Sequence, residues 1–184
     1  MIAFYVFFFV IVIQRLIELV IAHKNEKWMK EQGALEFGKG HYPYMVLMHI
    51  LFFLVLFIES VFFVKEISAF WIPLVGVFLL TQAIRIWALS SLGKYWNTKI
   101  IVLPNASVVK KGPYRFLKHP NYVIVTIELL IIPLIFKAYF TLILFAILNF
   151  IILSIRIPEE EKALNSLTTY DGTFAESNRF VPKL

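Results

Sequence analysis

At 184 residues the chain has the length of one domain, but 60% hydrophobic and 17% aromatic residues exceed what a soluble domain carries. Its 18 Lys and Arg against 12 Asp and Glu leave a net charge of +6, which in so apolar a chain points to a membrane surface or an anionic small molecule and not to nucleic acid. Cysteine is absent, which removes disulfides, thiolate nucleophiles and thiolate metal sites.

Runs long enough to cross a hydrocarbon core of roughly 30 Å, about 20 residues each, occur at 2–22, 44–64, 69–92, 122–136 and 138–155. They predict an all-α, integral membrane helical bundle of five spans in a single domain, 1–184. The first run has no basic residue before it and no small-residue cleavage pattern after it, so it is expected to stay as an anchor. Arg15 and Glu18, three apart on one face of this run beside Gln14, are read as a structural ion pair facing the bundle. The helix is expected to continue along the surface to Glu31, with Trp28 and Met29 as interfacial contacts. His41-Tyr42-Pro43 leads into the second run, which holds His49 and ends near Glu59. The two histidines are eight positions apart, too far for a one-turn metal pair, and no metal is assigned. The third run puts Gln82 and Arg85 on one face, where Arg85 either snorkels to the interface or pairs with a carboxylate such as Glu18.

Leu92 to Trp96 opens a long loop without an acidic residue, in which Lys99 to Leu103 reads as an extended segment stopped by Pro104-Asn105. The stretch from Lys110 to Val123, KKGPYRFLKHPNYV, is the one that suggests chemistry. Lys110, Lys111, Arg115 and Lys118 flank a Gly112-Pro113 turn, and His119 is expected to be the N-cap of a helix that opens at Pro120. Such an N-terminus beside a basic loop can bind an anion through its free N–H groups. The fourth run is short for a crossing; with Lys137 alone between it and the fifth, and Pro133 near the turn, the two are expected to form a tight hairpin. Glu128 and Asn149 within them are either helix-packing hydrogen bonds or site residues. After the fifth run, RIPEEEKAL sets Arg156 and Glu160 four apart, expected to pair, with Glu159, Glu160 and Glu161 in the first helical turn after Pro158.

Basic residues gather in the connections after the first and third runs and in the tail, while the other two connections carry Lys65 and Lys137. The positive-inside rule therefore puts the two long loops and the tail in the cytoplasm. That rule accounts for the lysines. It does not account for Gly-Pro-Tyr followed by His-Pro-x-Tyr.

Together these residues resemble the isoprenylcysteine carboxyl methyltransferase (ICMT) family, in its bacterial-type branch. The resemblance rests on Arg15-Leu16-x-Glu18-Leu19, Gly33 to Glu36, His41-Tyr42-Pro43, Leu92-Gly93-x-x-Trp96, Gly112-Pro113-Tyr114-Arg115, His119-Pro120-x-Tyr122, Arg156 with Glu160-Glu161, and Arg179-Phe180-Val181-Pro182. It implies an enzyme that uses S-adenosylmethionine, with a cofactor pocket in the C-terminal half, about 92–184, facing the cytoplasm. Carried onto this chain, it sets His119, Tyr122, Glu160 and Glu161 along the cofactor, with Gly112, Pro113, Tyr114 and Lys118 beside them, and Arg156 toward the methyl acceptor; Arg156 and Glu160 are the expected catalytic residues, Glu160 or His119 being available to take the proton of a hydroxyl acceptor. Two positions depart from the family pattern: Lys118 stands where Arg is usual, keeping the charge without the planar fork, and Ile124 stands where Gly is often found. A sulfonium cofactor with an amino-acid head and an adenine needs carboxylates, cationic or N–H donors and aromatic surface, and the two clusters provide all three.

The implied acceptor is a lipophilic small molecule met among membrane lipids, by preference a hydroxyl of a polyketide lipid such as an alkylpyrone or alkylresorcinol. The alternatives are the carboxyl of a C-terminal S-isoprenylcysteine and, from another class, a non-catalytic membrane scaffold or transporter subunit. Oligomeric state stays open.

Overall fold

The computed structural model describes residues 2–64, 66–175 and 177–180; Lys65, Val181, Pro182 and Lys183 of the charge and motif readings lie outside them. Five apolar helices form the bundle: α1 (Ile2–Glu31), α2 (Tyr42–Ile58), α3 (Trp71–Leu92), α4 (Pro120–Ile135) and α5 (Tyr139–Leu167), followed by a short α6 (Tyr170–Phe174). Four are long and apolar enough to cross a membrane, α2 with its π-helical prolongation Glu59–Val64, and α4 is the shorter one, as its sequence run predicts. Their outward faces carry bare hydrocarbon, such as Ile13 and Ile17 on α1 and Leu79 and Ile86 on α3. Water would oppose that exposure and a bilayer accepts it.

One half of the core is rich in phenylalanine. Phe4, Phe52, Phe78, Phe136 and Phe145 are buried together, with Phe4 edge-on to Phe136 at 4.9 Å and Phe52 edge-on to Phe145 at 5.3 Å between ring centroids. The links at this end are short. Between α4 and α5 the Pro133 carbonyl accepts the N–H groups of both Phe136 (3.1 Å) and Ala138 (2.9 Å), closing the expected hairpin. The first turn of α5 has no side-chain cap of its own. Glu59, at the end of α2, supplies one by accepting the N–H groups of Phe140 (3.0 Å) and Thr141 (2.8 Å) and the Thr141 hydroxyl (2.6 Å).

At the opposite end the long connections fold onto one another. β1 (Leu35–Phe37) pairs antiparallel with β2 (Ile100–Val102), Leu35 opposite Val102. Lys30 joins Glu26 (2.6 Å) and Glu36 (2.7 Å), and Lys99 joins Glu26 (2.7 Å), so four charges clamp the strand pair to the end of α1.

Two expectations need correction here. α5 does not restart after Pro158 but runs through it to Leu167, so Glu159, Glu160 and Glu161 occupy interior turns. A helix-interior proline costs about 3 kcal/mol or more, and the unbroken helix offsets this by packing Ala163, Leu164 and Leu167 against Ile100, Val102 and Phe37. Met29 is 2% exposed and is not an interfacial contact, because the last turns of α1 pack under β2. Trp28 stays half-buried, edge-on to Tyr95.

Candidate active site

A cavity of about 640 Å³ lies in the polar half of the bundle, within the size range of small-molecule sites. Trp96, Tyr114, Lys118, His119, Asn121, Tyr122, Arg156, Glu160 and Tyr170 line its upper wall, and Arg15, Glu18, Arg85, Glu128 and Asn149 line its depth.

The start of α4 sets the upper wall. His119 holds the N-cap position, as expected, but its ring makes no capping bond. The ring turns to α5 instead, with Nε2 3.1 Å from Glu161 Oε1 and Nδ1 4.0 Å from Glu160 Oε2. Arg179 Nε donates to Glu161 Oε1 at 2.9 Å, so Glu161 stands behind His119 and fixes it. One turn into α4, the Tyr122 hydroxyl donates to Glu160 and accepts from Arg156 Nε at 2.8 Å. Arg156 and Glu160 therefore meet through a phenol, where a direct pair is expected from their spacing. The cause is the turn of the guanidinium toward the Thr98 carbonyl, which accepts from Nη2 at 2.6 Å.

Gly112 and Pro113 do not reach the cavity. Gly112 has φ +55°, and a Cβ there would lie 2.0 Å from Ser91 Oγ and 3.0 Å from Trp87 Nε1, so glycine lets this turn press on α3. The next two residues, Pro113 and Tyr114, are buried, and the Tyr114 ring becomes cavity wall. Burial first, and then the charge of Glu160, pushes the Tyr114 and Tyr170 phenols above their ordinary range, so both stay neutral. Lys118 Nζ sits 5.9 Å from the centre of the Tyr170 ring.

The depth of the cavity answers the questions left by the intramembrane charges. Arg85 pairs and does not snorkel: Nε and Nη2 donate to Glu18 (2.7 and 2.9 Å) and Nη1 to Glu128 (2.6 Å). Arg15 bridges the same two carboxylates at 2.8 and 2.6 Å. Gln14 donates to Glu18 and Gln82, and Gln82 to Glu128. Two cations and two anions thus balance, held together by hydrogen bonds from α1, α3 and α4. Asn149 donates to Thr126 Oγ1 at 2.9 Å, a packing bond between α5 and α4. Three residues of the upper wall are not singled out by their sequence context: Asn121, Tyr170 and Thr98. Among the described residues the first has a buried Oδ1 without a partner, a property that no local pattern encodes.

Residues 74–166 match the isoprenylcysteine carboxyl methyltransferase (ICMT) family, and this span contains His119, Tyr122, Arg156, Glu160 and Glu161. The chain is 50% identical over 161 residues to the uncharacterized protein YpbQ of Bacillus subtilis, across 88% of this chain and 96% of that one. It is 27% identical over 156 residues to an uncharacterized protein of Haemophilus influenzae, across 83% of this chain and 90% of the relative.

Proposed function

Because the chain belongs to the ICMT family of membrane methyltransferases, we propose that it transfers a methyl group from S-adenosylmethionine to a lipophilic acceptor at the cytoplasmic face of the cell membrane. The preferred acceptor is a hydroxyl of a polyketide lipid of the alkylpyrone or alkylresorcinol type. The lysine-rich character of the end that holds the cavity mouth supports the cytoplasmic placement.

The residues around His119 suit this cofactor. Lys118 offers a cation to its carboxylate, and Asn121 a polar side chain to its amino-acid head. The neutral Tyr114 and Tyr170 rings offer flat surface to adenine. When bound, the cofactor supplies an electrophilic methyl group. The protein's part is to hold the acceptor oxygen close, aligned and away from water.

One observation carries the hydroxyl acceptor: the Tyr122 phenol set between Arg156 and Glu160. Arg156 orients the acceptor oxygen, and the acceptor proton leaves by way of the phenol to the Glu160 carboxylate. A prenylcysteine carboxylate has no proton to lose and needs no such route. Leu16, Leu19 and Ile50 support a lipid tail, since they line the cavity while being 57%, 48% and 59% exposed to the surroundings of the bundle. A hydrocarbon chain can stay in the bilayer there while its head reaches Arg156.

Mass spectrometry of lipid extracts from membranes with and without the protein tests this reading. The expected result is a hydroxyl-bearing lipid converted to a species heavier by one CH₂ group. Identical extracts would overturn it, and a methylated prenylcysteine would move the acceptor to the alternative class.

A further inference from the structure

His41-Tyr42-Pro43 and Leu92-Gly93-x-x-Trp96 hold none of the groups assigned to cofactor or acceptor, yet the two motifs converge on one turn of chain. Trp96 to Lys99, between the end of α3 and β2, is neither helical nor extended. Its order comes from side chains. Asn25 of α1 gives its carboxamide nitrogen to the carbonyls of both Gly93 (3.2 Å) and Trp96 (2.7 Å). Asn97 reaches back to α1 and donates to the Ala22 carbonyl at 3.1 Å, while its Oδ1 accepts the N–H of Lys99 at 3.0 Å. Tyr42, at the start of α2, sets its hydroxyl 3.2 Å from Thr98 Oγ1, and Lys99 Nζ donates to Glu26 at 2.7 Å.

The bond between Asn97 and Lys99 bears directly on Arg156. The Lys99 N–H and the Thr98 C=O are the two polar ends of one peptide group, and in a planar trans peptide they point in opposite directions. Asn97 holds the N–H end, and Arg156 Nη2 donates to the C=O end at 2.6 Å. An Asn side chain that bonds the backbone two residues on closes an Asx turn. Here that turn decides where the Thr98 carbonyl points. Arg156 depends on that carbonyl, because its spacing from Glu160 favours a direct pair along α5, and the bond to Thr98 leaves Tyr122 standing between them.

We propose that Asn97 is a positioning residue: it fixes the Thr98–Lys99 peptide, whose carbonyl keeps the Arg156 guanidinium turned to Tyr122 and away from Glu160, with Asn25 and Tyr42 bracing the same turn from α1 and α2. This rests on the reading of Arg156 as the group that orients the acceptor. Without Asn97 the peptide is free to rotate, and Arg156 falls back onto Glu160, the carboxylate that is to receive the acceptor proton. The loss is then one of turnover and not of cofactor binding.

The test uses the full chain labelled with ¹⁵N-arginine in phosphatidylcholine nanodiscs, without cofactor. The chain has five arginines, and the Nε–H signal of Arg156 is identified by its loss in Arg156→Lys. Asn97→Ala is expected to move that signal and to leave those of Arg15 and Arg85 in place. Asn97→Asp keeps an oxygen able to close the turn and should return the Arg156 signal toward its wild-type position. With S-adenosylmethionine and undecylresorcinol or an undecyl hydroxypyrone as probes, Asn97→Ala is expected to lower kcat by about ten- to a hundredfold, the scale of a small misplacement. The KM for S-adenosylmethionine should stay unchanged, and the same substitution should add little in an Arg156→Lys background. An Arg156 signal unmoved by Asn97→Ala overturns the proposal, as does one displaced equally by Asn97→Asp, which would put the effect on the Ala22 tether. Equal losses of kcat in the two backgrounds overturn it too. Should Asn97→Ala fail to fold, Tyr42→Phe drops the bond to Thr98 and is expected to displace the same signal to a smaller extent; an unmoved signal there is equally decisive. A wild-type protein that methylates neither probe overturns the methyltransferase reading, and the arginine spectrum then decides the placement of Arg156 by itself.

Discussion

Arg156 divides its guanidinium between a phenol and a carbonyl, and its Nη1 has no hydrogen-bond partner among the described residues. Lysine in its place keeps the charge and loses the planar fork. Arg156→Lys is predicted to lower turnover of a lipophilic acceptor by about a hundredfold, as removal of one oriented donor does elsewhere, with little change in S-adenosylhomocysteine affinity. Steady-state kinetics and calorimetry on the same preparation check this, and matched losses would transfer Arg156 to the cofactor. His119, Tyr122, Arg156, Glu160 and Glu161 are legible in the sequence because each sits in a short local motif. Their roles toward one another are less so. Spacing suggests an Arg156–Glu160 pair, but the Thr98 carbonyl, brought in by a distant loop, turns the guanidinium so that Tyr122 stands between them.

Among the elements, α5 depends on a partner for its first turn. Glu59 accepts two backbone N–H groups and a hydroxyl there, and Thr141 is fully buried. Glu59→Ala leaves those donors unsatisfied in an apolar setting and is predicted to cost about 1–3 kcal/mol, read as a lower Tm in detergent; Glu59→Gln keeps an acceptor and should lose less. The strand pair answers to pH. The Glu36 carboxyl is held below its ordinary 4.5, first by the hydrogen bond from Lys30 and then by the nearby charge of Lys99. A depressed folded-state value means that its stabilisation is present above the ordinary value and is lost as pH falls through the folded one. Hydrogen-exchange protection of β1 and β2 is therefore predicted to drop on acidification below about 4, and to drop less in Glu36→Gln, where Glu26 is the carboxylate of the clamp that still titrates. β2 is legible from its run of β-branched residues, whereas β1, Leu-Glu-Phe, carries no strand signature and exists because Ile100–Val102 offers it an edge.

At the scale of the whole molecule, hydropathy alone yields the five helices, their order and the α4–α5 hairpin, because bilayer thickness imposes length and composition on each span. It does not reveal which helices the charges join. Gln14, Arg15, Glu18, Gln82, Arg85 and Glu128 form one balanced cluster across α1, α3 and α4, a contact set that only the packed bundle defines. Glu128→Ala leaves two guanidinium groups sharing one carboxylate and is predicted to destabilise the protein by about 3–5 kcal/mol. Removing Arg85 as well restores the charge balance, so the double variant should lose less than the sum of the two single ones. The four charged members of this cluster line the depth of the cavity whose upper wall holds His119 and Arg156.

Calorimetric titration of the purified protein with S-adenosylhomocysteine tests that upper wall as a cofactor site most directly. Saturable binding is predicted for the wild type, weakened by about 1–3 kcal/mol in His119→Ala, which loses a wall group, and in Glu161→Ala, which releases His119. No binding to the folded wild-type protein, or equal affinity in all three, would contradict it.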